Sequence, residues 1–213
     1  MSGLRPDQQI IASLVPRGSR VLDLGCGDGR LLRHLIDERD CQGTGVDSDL
    51  RVLAAATARG VSALDLDLDV DLPEFHDDSY DVVVCSRTLQ SLSRPADVLT
   101  QMARIGDLLV VSMPNFGYWR HRLRLLGGRM PRSRDLPFDW HDTPNTRYAT
   151  VHDLEEWFDA LGLAVLRRVS LGSGGHPGTL ASLAPNLVAS STIHLLGSGS
   201  APGPRQHPQT GTS

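Results

Sequence analysis

The sequence predicts an α/β fold, a mostly parallel sheet flanked by helices on both faces, on three observations. Short apolar runs alternate with segments of helical period from Arg20 to Leu64, and again from Tyr80 to Met113. The connections between successive runs are about a dozen residues long, the length a parallel crossover requires. The run Tyr80 to Cys85 (Tyr-Asp-Val-Val-Val-Cys) is β-branched without polar alternation, as a strand covered on both sides must be.

Taken in order, Asp7 to Leu14 sets Ile10, Ile11 and Leu14 at helical spacing before Pro16 and Gly18 end the segment. Strands are expected at 20–24, 42–46, 61–64, 80–85 and 108–113, with helices at 30–39, 50–59 and 96–105 between them. The pattern then breaks. Residues 114–145 hold four prolines, three glycines, two tryptophans and six arginines, with helical period only near Tyr118 to Leu126. A loop of that length in a compact domain is usually functional or disordered, and its aromatic content favours function. Thr150 is the expected N-cap of a helix reaching Leu161, with Asp153 completing a capping box. Strands at 164–171 and 191–196 bring the total to seven. Residues 1–197 therefore read as one domain with 114–149 inserted after the fifth strand, and 198–213, without a large apolar side chain, as a disordered tail.

Composition limits the function classes. The formal net charge is -4 with both signs interspersed, so no global field draws the chain to nucleic acid or an anionic membrane, and neither is expected as a partner. All 21 basic residues are arginine, which excludes lysine-dependent chemistry. Cys26, Cys41 and Cys85 form neither a disulfide framework nor a CxxC pair, which fits a reducing compartment. No apolar run approaches the roughly 18 residues of a membrane span, and the first residues lack a signal-peptide pattern, so a soluble, cytoplasmic protein is expected.

The chemistry gathers at Val21-Leu22-Asp23-Leu24-Gly25-Cys26-Gly27-Asp28-Gly29, an apolar run ending in three alternating glycines before the helix at 30–39. A glycine turn there lets a ligand approach the backbone beyond the carboxyl ends of the strands. The dinucleotide fingerprint asks for glycine where Arg30 stands, so G-x-G-x-G points instead to a ligand without pyrophosphate, as in S-adenosylmethionine sites. Asp47, 22 positions after Gly25 at the end of the second strand, is placed to accept both ribose hydroxyls. Asp67 and Leu68 follow the third strand, where a carboxylate and an amide can read adenine. Asp23 can order the turn or face the ligand's ammonium. The competing reading is an inherited turn that no longer holds a ligand.

Other candidates are weaker. Cys26 and Cys85 end neighbouring strands and can border the pocket, although small buried thiols usually only pack. The alternating run Asp65 to Asp71 invites a cation, but it lacks the glycine and terminal glutamate of a calcium loop, and no metal is expected. His141 beside Asp142 has the composition of a base with an orienting carboxylate. The arginines at 120, 122, 124, 129, 132 and 134 suit an anion, a nucleic acid or a protein, with a solvated face as the plain alternative. Asn115 follows the fifth strand rather than the fourth, so an amide-type DNA base methyltransferase is not supported.

Three blocks together carry a resemblance. Val21 to Gly29, the segment Ser86-Arg87-Thr88-Leu89-Gln90, and Pro114-Asn115-Phe116-Gly117 through Gly128-Arg129-Met130-Pro131, Leu136-Pro137 and Asp142-Thr143-Pro144-Asn145 closely resemble the methionine biosynthesis protein MetW family, over about Arg5 to Gly197. The first block is shared by class I S-adenosylmethionine-dependent methyltransferases; the later ones are specific to MetW-like proteins. The chain departs from the family pattern at Arg87, where glutamine is usual, and at His141, where tyrosine is usual. The resemblance implies a Rossmann-like class I methyltransferase fold with a mostly parallel seven-stranded sheet, a role in methionine biosynthesis, and a homoserine O-acyltransferase as partner. It implies no methyl acceptor and no catalytic residue. With Ser86 added, the expected cofactor-binding set is Asp23, Gly25, Cys26, Gly27, Gly29, Asp47, Asp67, Leu68 and Ser86, for S-adenosylmethionine or S-adenosylhomocysteine. Two functions follow: a ligand-binding partner of the acyltransferase, or an active methyltransferase acting on a small molecule or protein.

Overall fold

The chain alternates as expected in a computed structural model that describes residues 3–198. Helix α1 (Pro6–Leu14) precedes β1 (Arg20–Leu24), α2 (Arg30–Arg39), β2 (Gln42–Asp47), α3 (Leu50–Ala58), β3 (Ser62–Asp65), β4 (Tyr80–Ser86), α4 (Pro95–Ile105) and β5 (Gly106–Pro114). The second half adds α5 (Trp119–Leu126), α6 (Val151–Ala160), β6 (Leu163–Leu171), the short helices α7 (Thr179–Leu183) and α8 (Pro185–Val188), and β7 (Ser191–Ser198). Past Ser198 the expected tail lies outside the described residues.

The sheet has seven strands in the order β3-β2-β1-β4-β5-β7-β6. The strands β1 to β5 pair in parallel, whereas β7 runs antiparallel to both β5 and β6. Chain order therefore reverses between β1 and β4, the switch point at which open α/β sheets hold ligands. Register sets what meets there: Leu24 pairs with Val46 on one side and Cys85 on the other, so Gly25, Asp47 and Ser86 follow at one level.

Both faces of the sheet are covered, which explains the unbroken apolar run of β4. Val83 and Cys85 pack with Leu99, Met102 and Phe158 of α4 and α6. Val82 and Val84 point the other way, toward Ile11, Leu32 and Leu35 of α1 and α2. Each such side chain contributes roughly 1.5–3 kcal/mol on burial. Proline opens α1 and α4, where a missing N–H leaves no intrahelical bond unmade. The Thr150–Asp153 capping box is formed at the start of α6.

The insertion is pinned at its first residues. Asn115 is buried, and its Nδ2 donates to the carbonyls of Pro185, Asn186 and Ala189 at 3.2, 3.2 and 2.8 Å, while its Oδ1 accepts from Gly117 N at 2.9 Å. This amide fastens the exit of β5 to α8.

Candidate ligand site at the glycine turn

Gly25, Gly27 and Gly29 all adopt left-handed φ, at 79°, 54° and 72°. Their roles differ. A Cβ on Gly25 would lie 2.1 Å from Thr88 Oγ1, and one on Gly29 would lie 2.9 Å from Ala56 Cβ, so these two let the turn pack against the segment after β4 and against α3. Beside Gly27 there is open space, and its conformation alone demands glycine. The turn therefore presents a bare stretch of backbone outward.

Four amides of the turn are already engaged. Gly25 N and Cys26 N both donate to Val46 O, at 2.8 and 3.0 Å, and Gly29 N donates to Cys26 O at 3.1 Å. Gly27 N donates to Asp47 Oδ2 at 2.9 Å, and Asp47 Oδ1 accepts from Asp49 N at 3.1 Å. A phosphate cradle needs free N–H groups converging on an anion. This turn instead surrounds its open face with carboxylates, which suits a cationic ligand without phosphate.

Asp23 is the most unusual of these. It is 3% exposed, and its Oδ1 has no hydrogen-bond partner among the described residues. Burial, then the nearby charge of Asp47, push its carboxyl up to about 7, with Arg5 pulling weakly the other way. A buried acceptor left unpaired is costly, by roughly 1–3 kcal/mol, unless a donor arrives.

Ser86 Oγ sits 3.0 Å from Ser112 Oγ at the ends of β4 and β5. Leu66 N donates to Asp47 O at 3.4 Å, which brings the residues after β3 close to the end of β2. There Asp67 Oδ1 accepts from Asp69 N at 2.9 Å, and Leu68 turns its side chain into the core. Asp71 accepts from Asp67 N, and Asp69 accepts from the amides of Ser93 and Arg94 at 3.0 and 2.7 Å. The acidic run thus orders its own turn and ties it to the start of α4.

Both Cys26 and Cys85 pack as small buried side chains, the plainer of their two readings. Cys26 packs its sulfur against Gly45, where an added Cβ would lie 2.6 Å from Sγ, and only its backbone belongs to the turn. Cys85 is fully buried in the core. Burial first, with nearby carboxylate charge, pushes both thiols up to about 12, so neither is a nucleophile at neutral pH. His141 packs edge-on against Trp140, with ring centres 5.4 Å apart, and Asp142 N donates to Asp139 O; the two do not form a dyad.

Arg87 was not singled out as a site residue by sequence, yet it holds the next position. It adopts a left-handed φ of 60°, and its guanidinium lies 4.0 Å from Asp7 of α1 and 3.5 Å from Asp135 of the insertion. These three and Ser112 and Thr192 help to line a small cavity of about 20 Å³ beside Ser86, with room for about one water. Its place directly after Ser86 and its departure from the family pattern are the signals sequence gives; the partners come from 80 residues before and 48 after.

Strand order, an antiparallel seventh strand, and a glycine turn with acidic groups at the switch point define a class I methyltransferase-like protein. Within that class the chain belongs to the family described as methionine biosynthesis protein MetW, whose model matches residues 5–196. A bifunctional methionine biosynthesis protein MetXA/MetW of Rhodopirellula baltica is 36% identical over 172 residues, covering 76% of this chain and 28% of that protein. A trans-aconitate 2-methyltransferase of Mycobacterium ulcerans is 33% identical over 144 residues, 63% of this chain and 54% of that protein. The chain therefore spans well under two thirds of either relative. A S-adenosylmethionine-dependent methyltransferase of Thermotoga maritima, described as a possible histamine N-methyltransferase, has the same fold, with a TM-score of 0.66 at 18% identity over 91% of this chain and 88% of that one. Among the described residues, no helix is long and apolar enough to cross a membrane.

Proposed function

We propose that this chain binds S-adenosylmethionine or S-adenosylhomocysteine at the glycine turn and serves methionine biosynthesis in the cytoplasm as a methyltransferase-like partner of a homoserine O-acyltransferase. The observation that carries the ligand is the unpaired, buried Oδ1 of Asp23 below a turn four of whose amides are engaged. In this reading Asp23 faces the ligand's ammonium and Asp47 its ribose hydroxyls. Asp67 and the Leu68 amide read adenine, Gly25 to Gly29 with the Cys26 backbone admit close approach, and Ser86 closes the wall. The ligand, when bound as the sulfonium, supplies an intrinsically electrophilic methyl group. The partnership is supported by a relative in which MetXA and MetW are joined in one bifunctional chain. Residues 1–197 act as the folded unit and 114–149 as its distinctive insertion.

Calorimetric titration with both ligands tests the site, and Asp47→Asn is expected to weaken binding at least about tenfold, since a hydrogen bond to a charged acceptor is worth about 1.5–3 kcal/mol. Unchanged affinity would remove the ribose assignment. Co-purification and acyltransferase assays with and without this chain test the partnership, and the absence of both a complex and a rate change would end it.

The likeness to a trans-aconitate 2-methyltransferase favours a second reading, transfer of the methyl group to a small molecule. Positioning and water exclusion suffice for a reactive sulfonium, so no base is required. Labelled methyl groups that never leave the ligand with candidate acceptors would dismiss it.

A further inference from the structure

The fold gathers four of the six arginines between Tyr118 and Arg134 along one groove. Residues 118–134 carry six arginines and no acidic residue, on a chain whose net charge is -4. Arg120, Arg124, Arg132 and Arg134 line a groove of about 530 Å³, open to solvent, with Tyr118 and Leu123. Arg132 is paired with Asp139 at 3.0 Å, but Arg120, Arg124 and Arg134 form no ion pair among the described residues. Arg124 and Arg134 each donate to a backbone carbonyl, of Met130 and Gly174, and Arg120 lies over the Trp119 ring, which leaves most of their N–H donors unused.

Beside these cations the apolar side of α5 is uncovered: Leu123 is 57% exposed and Leu126 is 85% exposed. Seven of the sixteen large apolar side chains that are exposed among the described residues fall between Trp119 and Trp140, so the exposure is a patch rather than scatter. Inorganic anions or phosphates would satisfy the guanidinium groups and leave these leucines in water. An acidic protein surface with an apolar centre satisfies both, and arginine and tryptophan are among the residue types enriched at interface hot spots.

From this charge complementarity we infer that the groove and the outer face of α5 form the docking surface for the acyltransferase, which meets them with acidic side chains around an apolar centre. This rests on the partner reading above. Asp135 lines both this groove and the cavity at Arg87, so a docked segment ends one ion pair away from the residue following Ser86.

Sedimentation of the full chain with the purified acyltransferase, at low and high salt, tests the surface. Wild type is expected to bind, more weakly at high salt. The double variant Arg120→Glu/Arg124→Glu is expected to lose at least about tenfold at low salt and most of the salt dependence. Leu126→Ser, a change at an exposed position, is expected to weaken binding with the salt dependence kept. Calorimetric affinity for S-adenosylhomocysteine, unchanged in both variants, confirms that they are folded. If wild type and variants bind alike, the docking surface is wrong while the partnership stands. If wild type does not bind, both fall. Self-association of the chain alone that the variants abolish would also overturn the proposal, because the occupant would then be a second copy.

Discussion

The buried carboxyl of Asp23, its Oδ1 unpartnered among the described residues, is costly to ionise in the folded protein. Its folded pKa of about 7 lies above the ordinary 3.8, so the native state binds the proton more tightly than the unfolded chain does. The Asp23 contribution to the stability of the ligand-free protein is therefore fully present below about pH 4 and is lost as pH rises toward about 7, where the buried carboxylate ionises. Asp23→Asn removes that charge. Its Tm without ligand is expected to exceed wild type at about pH 8, by several degrees, with the difference vanishing at about pH 4. Ligand affinity should move oppositely, rising for wild type between about pH 6 and pH 8 and staying flat and weak in the variant. A wild-type affinity indifferent to pH would show that the ligand's ammonium does not meet Asp23. Gly27→Ala separates ligand approach from packing, because the added methyl faces open space while the left-handed φ costs about 1–2 kcal/mol. Calorimetry is expected to show ligand binding lost in a protein that still unfolds cooperatively.

The helices and strands of the second half depend on contacts that no local pattern announces. Glu155 of α6 accepts from the fully buried His194 of β7 at 3.1 Å and from Arg168 of β6 at 2.8 Å, bonds that hold its carboxyl down at about 2. Because the folded value lies below the ordinary one, this contribution is complete above about pH 4.5 and is lost as pH falls toward about 2. Glu155→Ala strands the buried His194 and is expected to lower stability by about 1–3 kcal/mol at neutral pH, and by less at about pH 3, in urea unfolding. The first five strands and their crossovers are legible because buried parallel strands and amphipathic helices each leave a periodic mark. The helices α7 and α8, of five and four residues, leave none. Helices that short are held by tertiary contacts, here including the Asn115 side chain on the α8 backbone, and have no stability of their own.

As a whole, the molecule offers the proposed ligand the point between β1 and β4 where the order of its parallel strands reverses, so occupancy should stabilise the elements that meet there. A ligand at a hundred times its Kd adds about 2.7 kcal/mol, which in a domain of this size raises Tm by roughly 5–10 °C. Thermal unfolding with S-adenosylmethionine and with its demethylated product should show such shifts for both, and no shift for either would end the ligand assignment. The site was half readable beforehand. Local chemistry announces the glycine turn, Asp47 at a strand end and the strand that carries Ser86, because left-handed φ, strand ends and apolar period are properties of a few consecutive residues. Folding alone sets β7 antiparallel between β5 and β6 and leaves Asp23 unpaired. It also draws Asp7 and Asp135 to Arg87 and gathers four arginines along one groove. These depend on register and on contacts between residues far apart in the chain, where burial and charge act through space and no short stretch of sequence records the neighbour.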